Sequence, residues 1–361
     1  MTSYINAIYY PSWKVYKGRS PATLDISSVT HIFYAFARVN DDGTLRLLDE
    51  YADTEREVDG EKGCLAALAK LKLQKPSLKT LLSVGGGSGS ANFPIFAATS
   101  TGRENFARTS REFVDRFSLD GIDVDWEHPQ TPTAGKNYIH LLHTTRQHLP
   151  PPYLLTTALP TGTYCLKNIS LLEASQYLSF LNLMAYDFTG SWTAVSGHHA
   201  QLFSPPSTFN TTTNPCLQKS THTAVEYILS QRFPASKIIL GIPLYARYFP
   251  GATAPGQSFE KGGEMEYRDM DVVWRRDAVV DEDCVAEWYV DSNKGFGFVS
   301  FDGVVSVRRK AEYVLERGLG GLFFWTGVGD LEGGSLVGST YSRKKVHKPD
   351  IKARGETLSS T

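Results

Sequence analysis

Eight short apolar runs, each of strand length, recur along the chain with longer amphipathic stretches between them. They are Ile5 to Tyr10, His31 to Ala37, Thr80 to Val84, Gly121 to Asp125, Leu154 to Ala158, Leu181 to Ala185, Ile238 to Ile242 and Gly321 to Trp325. Each is bounded by turn residues and rich in β-branched or aromatic side chains, which reads as a strand. Helical patterns fill the gaps: Gly102 to Phe117, with Phe106, Phe113, Val114 and Phe117 at helical spacing, then Tyr138 to His148 and Thr221 to Arg232. Strand–helix alternation repeated eight times predicts an α/β fold, a closed (β/α)8 barrel of parallel strands. An open doubly wound sheet is the alternative, and the count of eight favours closure.

Such a barrel takes about 250 residues, and the chain has 361. A barrel with an insertion fits that length, and so do two unrelated domains. The gap between the seventh and eighth runs is long. It holds short alternating segments, Val285 to Val290 and Gly295 to Ser300, among several glycines. A structureless loop of that length is uncommon in a compact domain, so a small α+β subdomain is expected there, on the catalytic face. The expected organisation is a barrel over residues 1–245 and 301–337, an inserted subdomain over 246–300, and a polar, basic tail over 338–361 that is expected to be disordered.

Composition excludes several classes of partner. The formal net charge is −1, so no basic surplus calls for nucleic acid or an anionic membrane. No run approaches the ~18 apolar residues of a membrane span. Cys64, Cys165, Cys216 and Cys284 show no metal-ligand spacing and read as reduced thiols of a cytosolic protein. The opening MTSYINAIYYPSW lacks the basic and apolar regions of a secretory signal, so a cytoplasmic location is expected, with secretion by a non-signal route as the alternative. The chain is expected to act as a monomer, with no metal or organic cofactor.

The segment Asp120-Gly121-Ile122-Asp123-Val124-Asp125-Trp126-Glu127 holds four acids in eight residues. Alternate side chains of a strand share a face. Asp123, Asp125 and Glu127 therefore converge on one side, and Val124 and Trp126 point to the other. Burying three carboxylates together is unfavourable unless protons are shared and a ligand uses them. Barrel active sites form at the C-terminal strand ends; Glu127 lies at that end and Asp123 deeper. A salt-bridged acidic strand end is the plainer reading, and the absence of an intervening basic residue weakens it.

This segment resembles the DxxDxDxE signature of family-18 glycoside hydrolases, the chitinases and their relatives. Phe33-Tyr34-Ala35-Phe36 resembles the family's second-strand YAF, Ser83-Val84-Gly85-Gly86 its SxGG, and Met184-Ala185-Tyr186-Asp187 its MxYD. Gly241 to Arg247 is similar to the stretch entering the inserted subdomain, and Gly318 to Trp325 to the eighth strand with its terminal Trp. Six motifs in chain order are specific where one alone is not.

The resemblance implies retaining hydrolysis of β-1,4-linked N-acetylglucosamine polymers, chitin or chito-oligosaccharides, with the substrate's own N-acetyl oxygen as nucleophile. Glu127 would be the general acid, its pKa raised by burial and by Asp125. Asp125 would orient the acetamido N–H, Asp123 would share a proton with it, and Tyr186 would donate to the acetamide oxygen. Asp187 would bind a sugar hydroxyl. Trp325 would form the floor, Tyr9 and Phe36 the wall, with Met184 beside them, and Tyr245 and Arg247 would reach the substrate from the subdomain side. Ser83, Gly85, Gly86 and Asp120 would support the acids. Packing alone also accounts for Tyr9 and Phe36, and an ion pair for Arg247. Trp192 fits either a sugar platform or a packed loop.

Two departures stand out. Gly87 occupies the place where many such enzymes carry a Trp, which implies weak binding on the product side. His128 replaces the usual Tyr after the catalytic Glu and is expected to hydrogen-bond locally rather than to tune the pH optimum. An endo-β-N-acetylglucosaminidase acting on N-glycans and a non-catalytic chitin lectin are the competing functions. The retained Glu127 and Asp125 argue against the lectin.

Overall fold

The computed structural model describes residues 4–206 and 214–341. Eight parallel strands form its centre: β1 (Ile5–Pro11), β2 (His31–Val39), β3 (Lys79–Gly85), β4 (Gly121–Asp125), β5 (Leu154–Pro160), β6 (Phe180–Met184), β7 (Ile238–Pro243) and β8 (Gly321–Trp325). They pair in sequence around a ring, and β1 bonds to both β2 and β8, which closes the barrel. The alternative of an open sheet is thereby set aside. A short strand, Leu45–Leu47, adds antiparallel to β2.

The two faces of each strand bury different layers. Outward residues such as Tyr10, Tyr34, Leu82, Ile122, Val124, Leu183 and Phe324 pack under the helices. Inward residues Tyr9, Phe33, Leu81, Phe180, Ile239 and Phe323 fill the barrel. A strand apolar on both faces gives the near-continuous runs seen in the sequence. The register sets Ser83 beside Asp123, Gly85 beside Asp125, and Asp123 beside Thr156. This places a polar layer inside the otherwise apolar barrel.

The helix expected from Tyr138 begins at Pro132 and runs to His148. Thr131 caps it, its hydroxyl accepting from Ala134 N at 3.1 Å, and Pro132 takes the first helical position, where its missing N–H costs nothing. The start signal is therefore a cap, while apolar periodicity becomes visible only one and a half turns later. Thr99 caps Ser100–Arg116 in the same way, accepting from Gly102 N at 3.0 Å.

Between β7 and β8 the chain builds a five-stranded antiparallel sheet, ordered Gly263–Glu266, Tyr245–Phe249, Gly297–Phe301, Ala286–Asp291, Val279–Asp281. It carries a short helix, Val272–Arg276, and a small core of Phe249, Ala252 and Phe298. Glu287 caps the following helix, Val304–Glu316, by accepting from Ser306 N at 2.8 Å. A buried pair, Lys310 Nζ with Asp302 at 2.6 Å, and a bond from the same ammonium to Ala200 O fasten that helix to the loop after β6. Every charge in this joint has a partner, the condition under which buried ions are tolerated.

The four cysteines are free, three of them buried. The first residues of the expected tail, Gly338–Tyr341, form a 3-10 turn rather than a disordered segment, because Leu336 and Val337 before it are buried and hold the chain down. Residues 342–361 lie outside the described residues.

Candidate active site

The C-terminal strand ends surround a cavity of about 610 Å³. Its lining takes Tyr9 from β1, Phe36 from β2, Asp125 and Glu127 from β4 and just beyond, Met184 from β6 and Tyr186 and Asp187 just after it, Tyr245 after β7 and Trp325 from β8. The period-two geometry of β4 separates its side chains as expected. Trp126 faces the outer layer, 1% exposed and stacked on Phe93 at 5.4 Å.

Asp123 is fully buried beneath the cavity and accepts four hydrogen bonds. Tyr9 Oη and Ser83 Oγ each donate to Oδ2 at 2.8 Å, and Thr156 Oγ1 donates to Oδ1 at 2.6 Å, with Asn182 Nδ2 at 3.4 Å. Burial raises its pKa, and these donors oppose that rise. Asp125 is in the opposite situation. Its Oδ1 is buried with no hydrogen-bond partner among the described residues. Burial, then the charges of Glu127 and Asp123, push its pKa well above the carboxylate range. Two adjacent buried carboxyls cannot both ionise cheaply, so the charge sits on the donor-rich Asp123 and the proton on Asp125.

Glu127 reaches the cavity with a side chain 26% exposed. Its pKa is raised, first by burial and then by the negative charge of Asp187, against a hydrogen bond from the Gly87 N–H. Asp187 itself is held ionised. Burial works against its charge, but the neighbouring His199, Arg247 and Tyr245 prevail and bring its pKa down to about 2. Tyr245 Oη donates to Asp187 Oδ1 at 2.7 Å, and Arg247 donates to the same oxygen through Nε at 3.0 Å and Nη2 at 2.8 Å.

Aromatic rings make the bed of the cavity. Trp325 stacks on Phe36 at 5.7 Å and meets Tyr9 at 5.4 Å. Trp13, from the turn after β1, stacks on Phe36 at 6.1 Å outside the cavity lining and is 39% exposed. Sequence reading missed Trp13, although its place just past a barrel strand end was a usable signal. It also missed Ser90. That hydroxyl is buried, accepts from Glu127 N at 2.8 Å and donates to Gly86 O at 3.0 Å. It pins the backbone that carries Glu127, and nothing in its local sequence announces this.

Several expectations are corrected. Arg247 does not line the cavity; it is buried behind Asp187, pairs also with Glu264 at 3.1 Å and lies over the Trp192 and Tyr245 rings. Asp120 sits at the opposite end of β4, paired with Lys72 at 2.7 Å and Lys79 at 3.0 Å, where it ties β3 to β4 rather than supporting the acids. His128 makes no local hydrogen bond: Nδ1 is buried without a partner, and Nε2 stands 3.6 Å from Glu127 Oε2. Burial pulls its pKa down to about 4, so the ring is neutral. Trp192 is 57% exposed with one face under Arg247. Gly85 and Gly86 serve close approach: at φ +116° and +76°, a Cβ would lie 2.2 Å from Asp125 O and 2.7 Å from the Phe36 ring.

A barrel that gathers one accessible carboxyl with a raised pKa, a buried carboxyl pair below it and a bed of aromatic rings is built to cleave glycosidic bonds. The chain belongs to family 18 of the glycosyl hydrolases, whose sequence profile, "Glycosyl hydrolases family 18", matches residues 5–330. It is 32% identical to Endochitinase 1 of Metarhizium robertsii, over 96% of this chain and 86% of that protein. It is likewise 32% identical to Chitinase 1 of Aphanocladium album, over 94% of this chain and 85% of that one. Among solved structures, the Ostrinia furnacalis Group IV chitinase in complex with allosamidin superposes with a TM-score of 0.83 at 27% identity, covering 94% of this chain and 98% of that chain. A mutant class V chitinase from Nicotiana tobaccum in complex with NAG4 gives 0.79 at 26% identity, covering 94% and 99%.

Proposed function

We propose that this protein hydrolyses β-1,4-linked N-acetylglucosamine chains, chitin and its oligomers, with retention and with the substrate's acetamide as nucleophile. The observation that carries this reading is the arrangement of the acids lining the cavity: one accessible, one buried without a partner, one tied down by ion pairs. Glu127 is accessible, and burial and the charge of Asp187 raise its pKa. Asp125 is buried, its Oδ1 without a hydrogen-bond partner among the described residues, and its pKa is pushed well above the carboxylate range. Asp187 is anionic but tied down by Arg247 and Tyr245. Neither of the other two acids is a free carboxylate of the kind a two-carboxylate retaining scheme needs. An acetamido sugar supplies the missing nucleophile itself.

In this reading the sugar cut from the chain lies over Trp325, walled by Tyr9, Phe36 and Met184. Glu127 gives its proton to the glycosidic oxygen and then, as a carboxylate, takes one from water. Asp125 bonds the acetamido N–H and aims the acetamide oxygen at the anomeric carbon. Tyr186, which meets the Tyr245 and Phe323 rings edge-on at 6.2 Å, supports that oxygen through its hydroxyl. Asp123 takes up the shared proton as Asp125 becomes the carboxylate that accepts from the acetamido N–H, so the pair acts as one titrating unit. Arg247 positions Asp187. The two curated relatives named above are an endochitinase and a chitinase, which supports the same substrate class. The retained Glu127 and Asp125 disfavour a pure lectin.

Glu127→Gln tests the proposal. The variant should lose about 1000-fold in kcat on the N-acetylglucosamine hexamer, the scale of a lost general acid, while still binding the hexamer. A wild-type protein that binds the hexamer without cleaving it, or a Gln variant that turns over normally, would overturn the assignment.

A further inference from the structure

The assignment of Glu127 as proton donor divides the cavity in two, and the inference below rests on that assignment. On one side lies the aromatic bed, built from Trp325 of β8, Tyr9 of β1 and Phe36 of β2. On the other, the segments after β3, β4, β5 and β6 contribute Gly87, His128, Thr161 to Tyr164 and Asp187. A chain lying over Trp325 and protonated by Glu127 continues into this second half, which receives the leaving sugar. Gly87 offers that sugar no side chain. The gap is not enforced by crowding, since a Cβ there would sit 3.7 Å from Glu127 Oε1, an ordinary contact.

Tyr164 is the large aromatic side chain with a face open to this half of the cavity. It is 47% exposed, whereas Phe188, also in the lining, is 1% exposed. The ring is held in place from two sides. It packs against Gly162, where a Cβ would meet its Cε1 at 2.2 Å and Cδ1 at 2.4 Å. The His128 ring meets it edge-on, 5.9 Å away at 74°. The short helical turn that carries it, Thr163–Leu166, is anchored by buried Cys165 and Leu166. A ring fixed at its edge and back with a free face is a low-entropy surface for the C–H face of a sugar.

We propose that Tyr164 is the stacking platform for the leaving-side sugar, a substrate-binding residue that takes the place of the side chain missing at Gly87. The gain from extending a substrate past the cleaved bond then depends on this one ring.

The test compares Tyr164→Leu and Tyr164→Phe on two substrates. One is the N-acetylglucosamine hexamer, which fills both halves of the cavity. The other is the β-fluoride of diacetylchitobiose, whose leaving group places no ring on the second half. Tyr164→Leu should raise KM for the hexamer about five- to tenfold, the equivalent of a single stacking contact, and leave kcat within about twofold. The fluoride should be cleaved within about twofold of wild type, and Tyr164→Phe should behave as wild type on both. An unchanged hexamer KM, an equal loss on both substrates, or a Phe variant as impaired as Leu would each refute the platform. If wild type cleaves both substrates, such a result counts against Tyr164 alone. If wild type cleaves neither, the assignment of Glu127 falls and this inference with it.

Discussion

Replacing Arg247 by Met removes a charge from behind the active site while keeping most of the side-chain bulk. Arg247 donates twice to Asp187, at 3.0 and 2.8 Å, and pairs with Glu264 at 3.1 Å. The Glu264 pair contributes little, because that carboxylate is 64% exposed and exposed pairs yield about 0–1 kcal/mol. The Asp187 pair matters more. Asp187 is lowered from an ordinary value of 3.8 to about 2 by His199 first, then Arg247 and Tyr245, a difference that would correspond to about 2.5 kcal/mol without screening, of which Arg247 supplies a part. The Asp187 side chain is 38% exposed, so a screened contribution of about 1 kcal/mol is the better figure. Loss of hydrogen bonds to a charged group adds about 1–2 kcal/mol more. The total expected from urea unfolding at pH 7 is therefore about 2–3 kcal/mol.

The sign of the pH dependence is fixed by the direction of the shift. A carboxylate whose folded pKa is depressed contributes stability above its unfolded pKa and loses it as pH falls through the folded pKa. The difference between wild type and Arg247→Met should thus shrink by roughly half to two thirds of that ~1 kcal/mol on going from pH 5 to pH 2.5, which still lies above the folded pKa. Chitin-oligomer turnover should fall as well, since Asp187 is left less firmly held and less charged, and its support for the proton on Glu127 weakens. A variant as stable as wild type at pH 7, or a difference that stays constant into acid, would refute this account of the pair.

Three further outcomes are expected. Ser90→Ala strips the partner from Glu127 N and should cost about 1–2 kcal/mol of stability, with a fall in kcat but little change in KM on the hexamer. Gly85→Ala should cost more than about 3 kcal/mol, because it combines a left-handed backbone with a backbone clash; Gly87→Ala, which makes only ordinary contacts, should stay within about 1 kcal/mol of wild type by thermal melting. The alkaline limb of the kcat profile should lie above the ordinary glutamate range, since burial and Asp187 raise Glu127, and in an Asp187→Asn variant that limb should move to lower pH.

Much of the site was legible because strand geometry is local. A period of two is enough to put Asp123, Asp125 and Glu127 on one face and Trp126 on the other. What lies beneath them was not legible. The donors to Asp123 come from β1, β3, β5 and β6, and Asn182 and Thr156 carry no local mark of that role. Asp120 shows the opposite case. It belongs to the same acidic row, yet its position at the far strand end gives it Lys72 and Lys79 instead of the cavity.

By itself the sequence determined the number and order of the strands, the row of acids at the end of β4 and the site of the insertion, all of which follow from hydrophobic period and turn residues within short windows. Only the closed barrel decided which acid carries the proton, that Arg247 stands behind Asp187 rather than before the substrate, and that Tyr164 faces the cavity with Gly87 bare. Those outcomes depend on side chains brought together from strands more than a hundred residues apart in some cases, such as Tyr9 and Asp123. Burial and charge act through space, and a chain carries that information only once it has folded.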